Sequence, residues 1–177
     1  MRRQRVGRGR EVVRVPDTGL DRFTDLFDDT VCIVTAQAGG ERAGCLVGFA
    51  GQCSIRPPRF VVWLSRLNHT FRVAGAAESL AVHVVDRGGL PLAELFGGET
   101  GDRVDKFARV AWRPAADGTP LLDGARAWFV GRITARVDGG DHVGFLLDPV
   151  EQSPDPDPLP DLLTLHDVWH VRAGHPA

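Results

Sequence analysis

Six short runs of β-branched and aromatic residues, each bounded by Gly, Pro or Asp, constrain this chain more than any other feature. They are Val31 to Ala36, Cys45 to Ala50, Phe60 to Ser65, Leu80 to Val85, Ala127 to Val137 and Val143 to Leu147. Branched side chains pack well on a pleated surface, so each run reads as a strand and its flanking residues as the stop. Helical signals are fewer. Leu20, Phe23, Leu26 and Phe27 recur at helix spacing before the first strand. Thr70 suits the N-cap of a helix over Phe71 to Ala77. Pro91 suits an early helical position before Leu92, Leu95 and Phe96, with Gly97-Gly98 as its end. Asp102 to Val110 reads as one more short helix, and Leu162 to Leu165 with Trp169 to Val171 as a closing hairpin around His166-Asp167. The pattern predicts a mainly β fold with short helices, a Greek-key or split barrel rather than a doubly wound parallel sheet.

At 177 residues the chain reads as one domain over 20–172, with a basic arm over 1–19 and a short tail over 173–177. The first ten residues carry Arg2, Arg3, Arg5, Arg8 and Arg10 among glycines, the composition of a solvated, flexible arm. Ser153-Pro-Asp-Pro-Asp-Pro158 cannot join a sheet and reads as an extended connector. A net charge of −2 argues against nucleic-acid and general membrane-surface partners. No apolar run approaches the ~20 residues of a membrane span. The twin arginines precede no apolar segment, so the expected location is the cytoplasm.

Motif chemistry narrows by elimination. Cys32, Cys45 and Cys53 lie in or beside apolar stretches without C-x-x-C spacing and read as buried thiols. His166 and His170 are four apart but flank a turn, where that spacing does not place two ligands on one face, so no metal site is expected. His83 sits within an apolar strand, where a hydrogen-bonded core histidine is the simplest reading. There is no G-x-S-x-G elbow and no G-x-G-x-x-G turn.

Two stretches remain. In Gly44 to Pro58, Gly48 and Gly51 leave the backbone open to a flat ligand, and Arg56-Pro57-Pro58 forces an extended exit. A bulged edge strand with a proline turn accounts for the composition equally well. In Asn68-His69-Thr70, a helix N-terminus offers unpaired N–H groups to a phosphate. There Thr70 caps the helix, binds the anion, or does both.

From about Asp21 to Trp169 the chain resembles the flavin reductase family of FMN-binding split barrels. The resemblance is carried by Val31 to Thr35, Gly44, Ser54-Ile-Arg-Pro-Pro58, Asn68-His-Thr70, Leu80 to Val85, Leu92 to Phe96, Asp105-Lys-Phe107 and Gly140-Asp-His142. It implies that Cys45, Leu46, Val47, Gly48, Gln52, Cys53 and Ser54 line the isoalloxazine and ribityl chain. It further implies that Asn68 and Thr70 meet the phosphate, that Lys106 and Phe107 belong to the cofactor site, and that His142 lies near the flavin and the nicotinamide. The implied activity is NAD(P)H-dependent reduction of FMN, or FAD, by a homodimer with flavin near the subunit interface, in some cases as the reductase of a two-component monooxygenase. Family members often carry hydroxyl residues where this chain has Leu46, Gly48 and Phe49, which leaves Gln52, Ser54 and the backbone to replace them. Two rival readings are a flavin- or deazaflavin-dependent oxidoreductase acting on another acceptor, and a flavin-binding protein without turnover.

Overall fold

The computed structural model describes residues 21–24, 26–158 and 160–174, so the basic arm and the end of the tail lie outside the described residues. A short helix, α1 (Asp21–Thr24), leads into nine strands: β1 (Cys32–Ala38), β2 (Glu41–Val47), β3 (Ala50–Ile55), β4 (Pro58–Ser65), β5 (Ser79–Val84), β6 (Trp112–Pro114), β7 (Pro120–Leu122), β8 (Ala127–Asp138) and β9 (His142–Gln152). Helices α2 (His69–Ala76) and α3 (Leu90–Gly98) follow β4 and β5. Seven strands form one antiparallel sheet in the order β2-β1-β5-β8-β9-β4-β3, and β6 and β7 make a separate hairpin. The fold is mainly β with short helices. Among the described residues no helix is long and apolar enough to cross a membrane.

The two edge strands, β2 and β3, are consecutive in the chain, and no ladder joins them. They are nevertheless brought round to a shared interior. The main core draws Cys45 and Val47 from β2, Val34 from β1, Leu80 from β5, Leu64 from β4 and Phe145 from β9, with Ile133 of β8 and Ala50 of β3 packed against it. Inward residues of every sheet strand therefore meet, and the sheet curls around them. Helix α2 closes one end with Val73 and Ala74. On the opposite face of β1 and β5, a second core packs Ile33 and Val85 against Ala93 and Phe96 of α3, together with Phe107 and Leu163.

Several local readings need correction. The strand expected over Cys45 to Ala50 is two strands, broken at Gly48-Phe49. There the Trp63 N–H donates to the Phe49 carbonyl at 2.9 Å and turns the chain toward β4. Gln52 to Ser54 belong to β3, an edge strand with a bulge between Gln52 and Ser54, as the bulged-edge-strand reading had it. The cap of α2 is Asn68, not Thr70: Asn68 Oδ1 accepts from the Thr70 N–H at 2.9 Å. The helix expected over Asp102 to Val110 shrinks to a 3-10 turn over Lys106–Arg109, where Asp105 caps the Phe107 and Ala108 N–H groups. No hairpin closes the C-terminal end. Asp167 accepts from the Thr164 N–H and hydroxyl and coils that segment into a 3-10 turn over His166–Val168. Cys32 and Cys45 are buried as expected, but Cys53 is exposed on β3.

Candidate functional site

The turn from β8 to β9 is built to hold His142 in place. Gly140 has φ of 102°, a conformation that side chains with a Cβ rarely adopt. Gly139 is required for a different reason: an added Cβ would lie 2.5 Å from Cζ3 of the Trp63 ring. Arg66 clamps the loop from across the sheet. Its Nε donates to the Gly140 carbonyl at 2.8 Å, its Nη2 pairs with Asp138 at 2.9 Å, and its backbone N–H donates to the Asp141 carbonyl. His142 pairs with Ser65 in the β4–β9 ladder, and its Nδ1 lies 2.8 Å from Asp141 Oδ1. The imidazole holds the Asp141 carboxyl below its ordinary range.

The His142 ring stands edge-on to Phe49, with centroids 5.5 Å apart. This contact joins the two stretches that the sequence left open: the break between β2 and β3, and the Gly-Asp-His turn. Phe49 is 58% exposed and lines an open groove of about 680 Å³ with Leu46, Gly97, Leu165, Trp169 and Val171. Near the start of β2 lies a polar concavity of about 350 Å³, lined by Gly44, His69, Asp102, Arg103, Lys106 and Phe107. His69 is held by two carboxylates, Asp102 at 3.0 Å from Nδ1 and Glu41 at 3.0 Å from Nε2. Arg72, 2.7 Å from Asp102, is the main cause that the Asp102 carboxyl is held well below the usual range, with His69 second. The Arg103 backbone N–H donates to the Thr100 carbonyl at 3.1 Å, while its side chain makes no hydrogen bond or ion pair among the described residues and leaves an exposed guanidinium on this wall.

The expected site residues divide accordingly. Gly48 and His142 reach the surface at the β2–β3 break, and half-buried Leu46 lines the adjoining groove. Gln52, Cys53 and Ser54 lie farther along edge strand β3, where Gln52 pairs with Phe60 and Ser54 with Arg59, toward the opposite end of β4 from Ser65 and His142. Gly48 is not open to a flat ligand from its Cα side, because an added Cβ would meet Leu165 Cδ2 at 2.7 Å. Cys45 and Val47 point into the core, and burial raises the Cys45 thiol to about 11. Such residues can offer a ligand only backbone groups. Thr70 is 1% exposed, with its hydroxyl beside the Cys45 thiol, so it does not face a surface anion. Lys106 is buried, and its pKa is lowered by that burial. Its ammonium donates to the carbonyls of Phe96 and Glu99 at 3.2 and 2.7 Å, satisfying the end of α3 rather than reaching outward. Phe107 packs edge-on to Phe96 in the second core. Phe49 and Arg103 were missed as binding candidates. An apolar residue replacing a hydroxyl one was the available signal for the first, and an arginine beside Asp105-Lys106-Phe107 for the second.

Gly44, the anchor of the first motif, is explained by packing. A Cβ there would lie 2.6 Å from Phe96 Cε1. Gly44→Val is expected to cost about 1–3 kcal/mol as the ring is displaced. Urea denaturation checks this; an unchanged midpoint would show that α3 yields freely.

The arrangement offers an aromatic face, edge-strand backbone groups, a constrained histidine and a polar recess, which suits a flat nucleotide better than a nucleophilic or metal-dependent reaction. Comparison with known proteins agrees. At 31% identity over 147 residues, the chain is similar to the FMN reductase (NADH) RutF of Enterobacter cloacae, covering 82% of this chain and 84% of that protein. It is 34% identical to FMN reductase (NADH) RutF 2 of Rhizobium rhizogenes over 60% of this chain, and spans 64% of that protein's length. It spans only 23% of a diflavin flavoprotein of Nostoc. Among solved structures, the NADH:FAD oxidoreductase of Streptomyces globisporus matches with a TM-score of 0.69 and 26% identity, over 78% of this chain and 80% of that one. The FMN-binding protein of Thermus thermophilus shares the fold, with a TM-score of 0.74 at 22% identity over 81% and 79% of the two chains. The family described as flavin reductase like domain matches residues 24–168, and the chain belongs to that family.

Proposed function

We propose that the protein catalyses NADH-dependent reduction of FMN, with FAD as an alternative flavin. The observation that carries this reading is the Phe49–His142 contact, which places a constrained imidazole beside an exposed aromatic face at the break between the sheet's edges. The residues fit a flavin. Among the described residues neither β2 nor β3 is paired on its outer side, which leaves backbone donors and acceptors for the ring's polar edge, and Phe49 supplies apolar surface. The chemistry belongs to the two nucleotides, a hydride passing from reduced nicotinamide to oxidised flavin. His142, held by Asp141 and the Arg66-clamped turn, orients the nicotinamide and keeps water from the contact. The hydroxyl-poor Leu46-Gly48-Phe49 segment gives the flavin few side-chain hydrogen bonds, which favours flavin as an exchanging substrate over a tightly retained group.

Arg103 takes the phosphate-binding role first assigned to Thr70. A hydrogen bond to a charged group is worth about 1.5–3 kcal/mol. Arg103→Ala should therefore weaken FMN roughly ten- to hundredfold and leave riboflavin, which lacks the phosphate, nearly unchanged. Fluorescence titration of both flavins checks it, and equal weakening would remove Arg103 from the phosphate.

The family reading also includes a split barrel closed by packing between β2 and β3, and a homodimer. Exposed Phe49, Leu67 and Trp169 give a partner copy apolar surface to cover. An interface of this kind buries more than ~2,000 Å². Light scattering at micromolar concentration should give twice the 19.2 kDa chain mass, and a monomer would contradict it. The structural similarity to nitrilotriacetate monooxygenase component B of Mycobacterium thermoresistibile, 25% identical with a TM-score of 0.69, supports a role as the flavin-supplying partner of a monooxygenase. Steady-state NADH and NADPH oxidation with FMN, FAD and riboflavin separates a reductase from a flavin carrier.

A further inference from the structure

Among the described residues nothing fills the end of the curled sheet opposite α2. An open-mouthed cavity of about 550 Å³ enters there, walled by Phe60, Val82, Val84, Trp128 and Phe129, with the buried Cys32 also in its lining. Side chains in an ordinary core interdigitate and leave few voids larger than a water molecule. This space has the volume and the apolar lining of a small-molecule site. It is widened by two residues of β3, Ala50 and Gly51; an added Cβ at Gly51 would meet nothing within 4 Å. Phe60 and Phe129 stand edge-on, with centroids 5.3 Å apart, and present an aromatic wall. The connector that borders the mouth is tied down: Ser153 donates its N–H to the Trp128 carbonyl at 2.9 Å, and its Oγ accepts from the Trp128 N–H at 3.1 Å.

Charge is confined to the rim. Asp29 and Asp155 line the mouth, both exposed, and neither makes an ion pair among the described residues. Among the described residues no Arg, Lys or His lines the cavity, so none of them offers a cation to the phosphate of a flavin or nicotinamide nucleotide here. His142, at the first residue of β9, lies at the opposite end of that strand from Gln152, which lines this cavity.

We propose that this cavity is a second ligand site, which binds a neutral aromatic molecule of up to three rings bearing a hydrogen-bond donor, such as a phenol or an arylamine. The rings pack against the wall that Phe60 and Phe129 form together, and the donor group faces the carboxylates of Asp29 and Asp155. An anionic aromatic of the same size is rejected by those carboxylates.

The test uses the full chain and two fluorescent probes that differ in charge. The neutral N-phenyl-1-naphthylamine should bind saturably, one per chain, with a blue-shifted emission, and saturating FMN should not displace it. The anionic 8-anilinonaphthalene-1-sulfonate should bind at least about tenfold more weakly. Val84→Phe and Ala127→Phe, which fill the cavity from adjacent strands, should each weaken the neutral probe by about tenfold or more. The exposed pair Asp29→Asn and Asp155→Asn should instead strengthen the anionic probe towards the neutral one. This last result decides the matter should the filled variants fail to fold. Binding unaffected by filling, full displacement by FMN, or equal affinity for the two probes in the wild type would each overturn the proposal.

Discussion

Acidification from pH 7 to pH 4 should remove about 3 kcal/mol of folding stability, and His83 is the cause. This side chain is fully buried on β5, between β1 and the β6–β7 hairpin. Its Nδ1–H donates to the Ile33 carbonyl at 3.0 Å, and its Nε2 accepts from the Leu122 N–H at 3.1 Å. Only the neutral ring can do both. Burial pulls its pKa down to about 4 from the ordinary 6.5, partly opposed by the Ile33 carbonyl. Between those values the unfolded chain binds a proton that the folded chain refuses, so stability rises with pH through this window and is level above it. His83→Leu should cost about 2–4 kcal/mol at pH 7, since a buried N–H and a buried carbonyl lose their partner. It should also flatten the slope from pH 6.5 to 4. Urea titrations at pH 7, 5.5 and 4.5 check both effects, and an unchanged slope in the variant would place the acid sensitivity elsewhere. An opposite limb follows from Cys32 and Cys45, whose thiols burial raises to about 12 and about 11. Above pH 9 the unfolded thiols ionise first, and stability falls again.

The second large effect is kinetic. His142→Ala should slow flavin reduction by up to about a hundredfold while FMN affinity stays close to wild type, because in the proposed mechanism the ring positions the nicotinamide rather than the flavin. Asp141→Asn should give a smaller loss in the same direction: it keeps the turn and weakens only the hydrogen bond at Nδ1. Single-turnover absorbance at 450 nm under argon separates the rate from the affinity. A His142→Ala enzyme with wild-type rates would make the histidine a structural member of the turn, beside Trp63 and Arg66.

Strand periodicity was the legible part of this fold. Five of the six predicted runs became single strands, because branched residues in alternation fix which face is buried. The edge between β2 and β3 was not legible. Cys45 to Ala50 reads as one strand until Leu165, more than a hundred residues later, packs on Gly48 and forces the break. The β6–β7 hairpin was missed although Asp117-Gly118 marked its turn, since three-residue strands ending in proline carry almost no pattern. At the candidate site, the Gly-Asp-His turn was readable. Thr70 and Lys106 were not, because each satisfies a buried partner that lies on another element: Cys45 for one, the end of α3 for the other. Local sequence names a residue's chemistry, and only tertiary packing decides which way it faces.

The most direct measurement is anaerobic mixing of the pure protein with NADH and oxidised FMN, followed at 450 nm. The expected result is stoichiometric bleaching of the flavin, one NADH consumed per FMN reduced, at a rate that rises with protein concentration and saturates in FMN. Bleaching no faster than in a protein-free control, with FMN nevertheless bound, would contradict the assignment of a reductase and leave a flavin carrier.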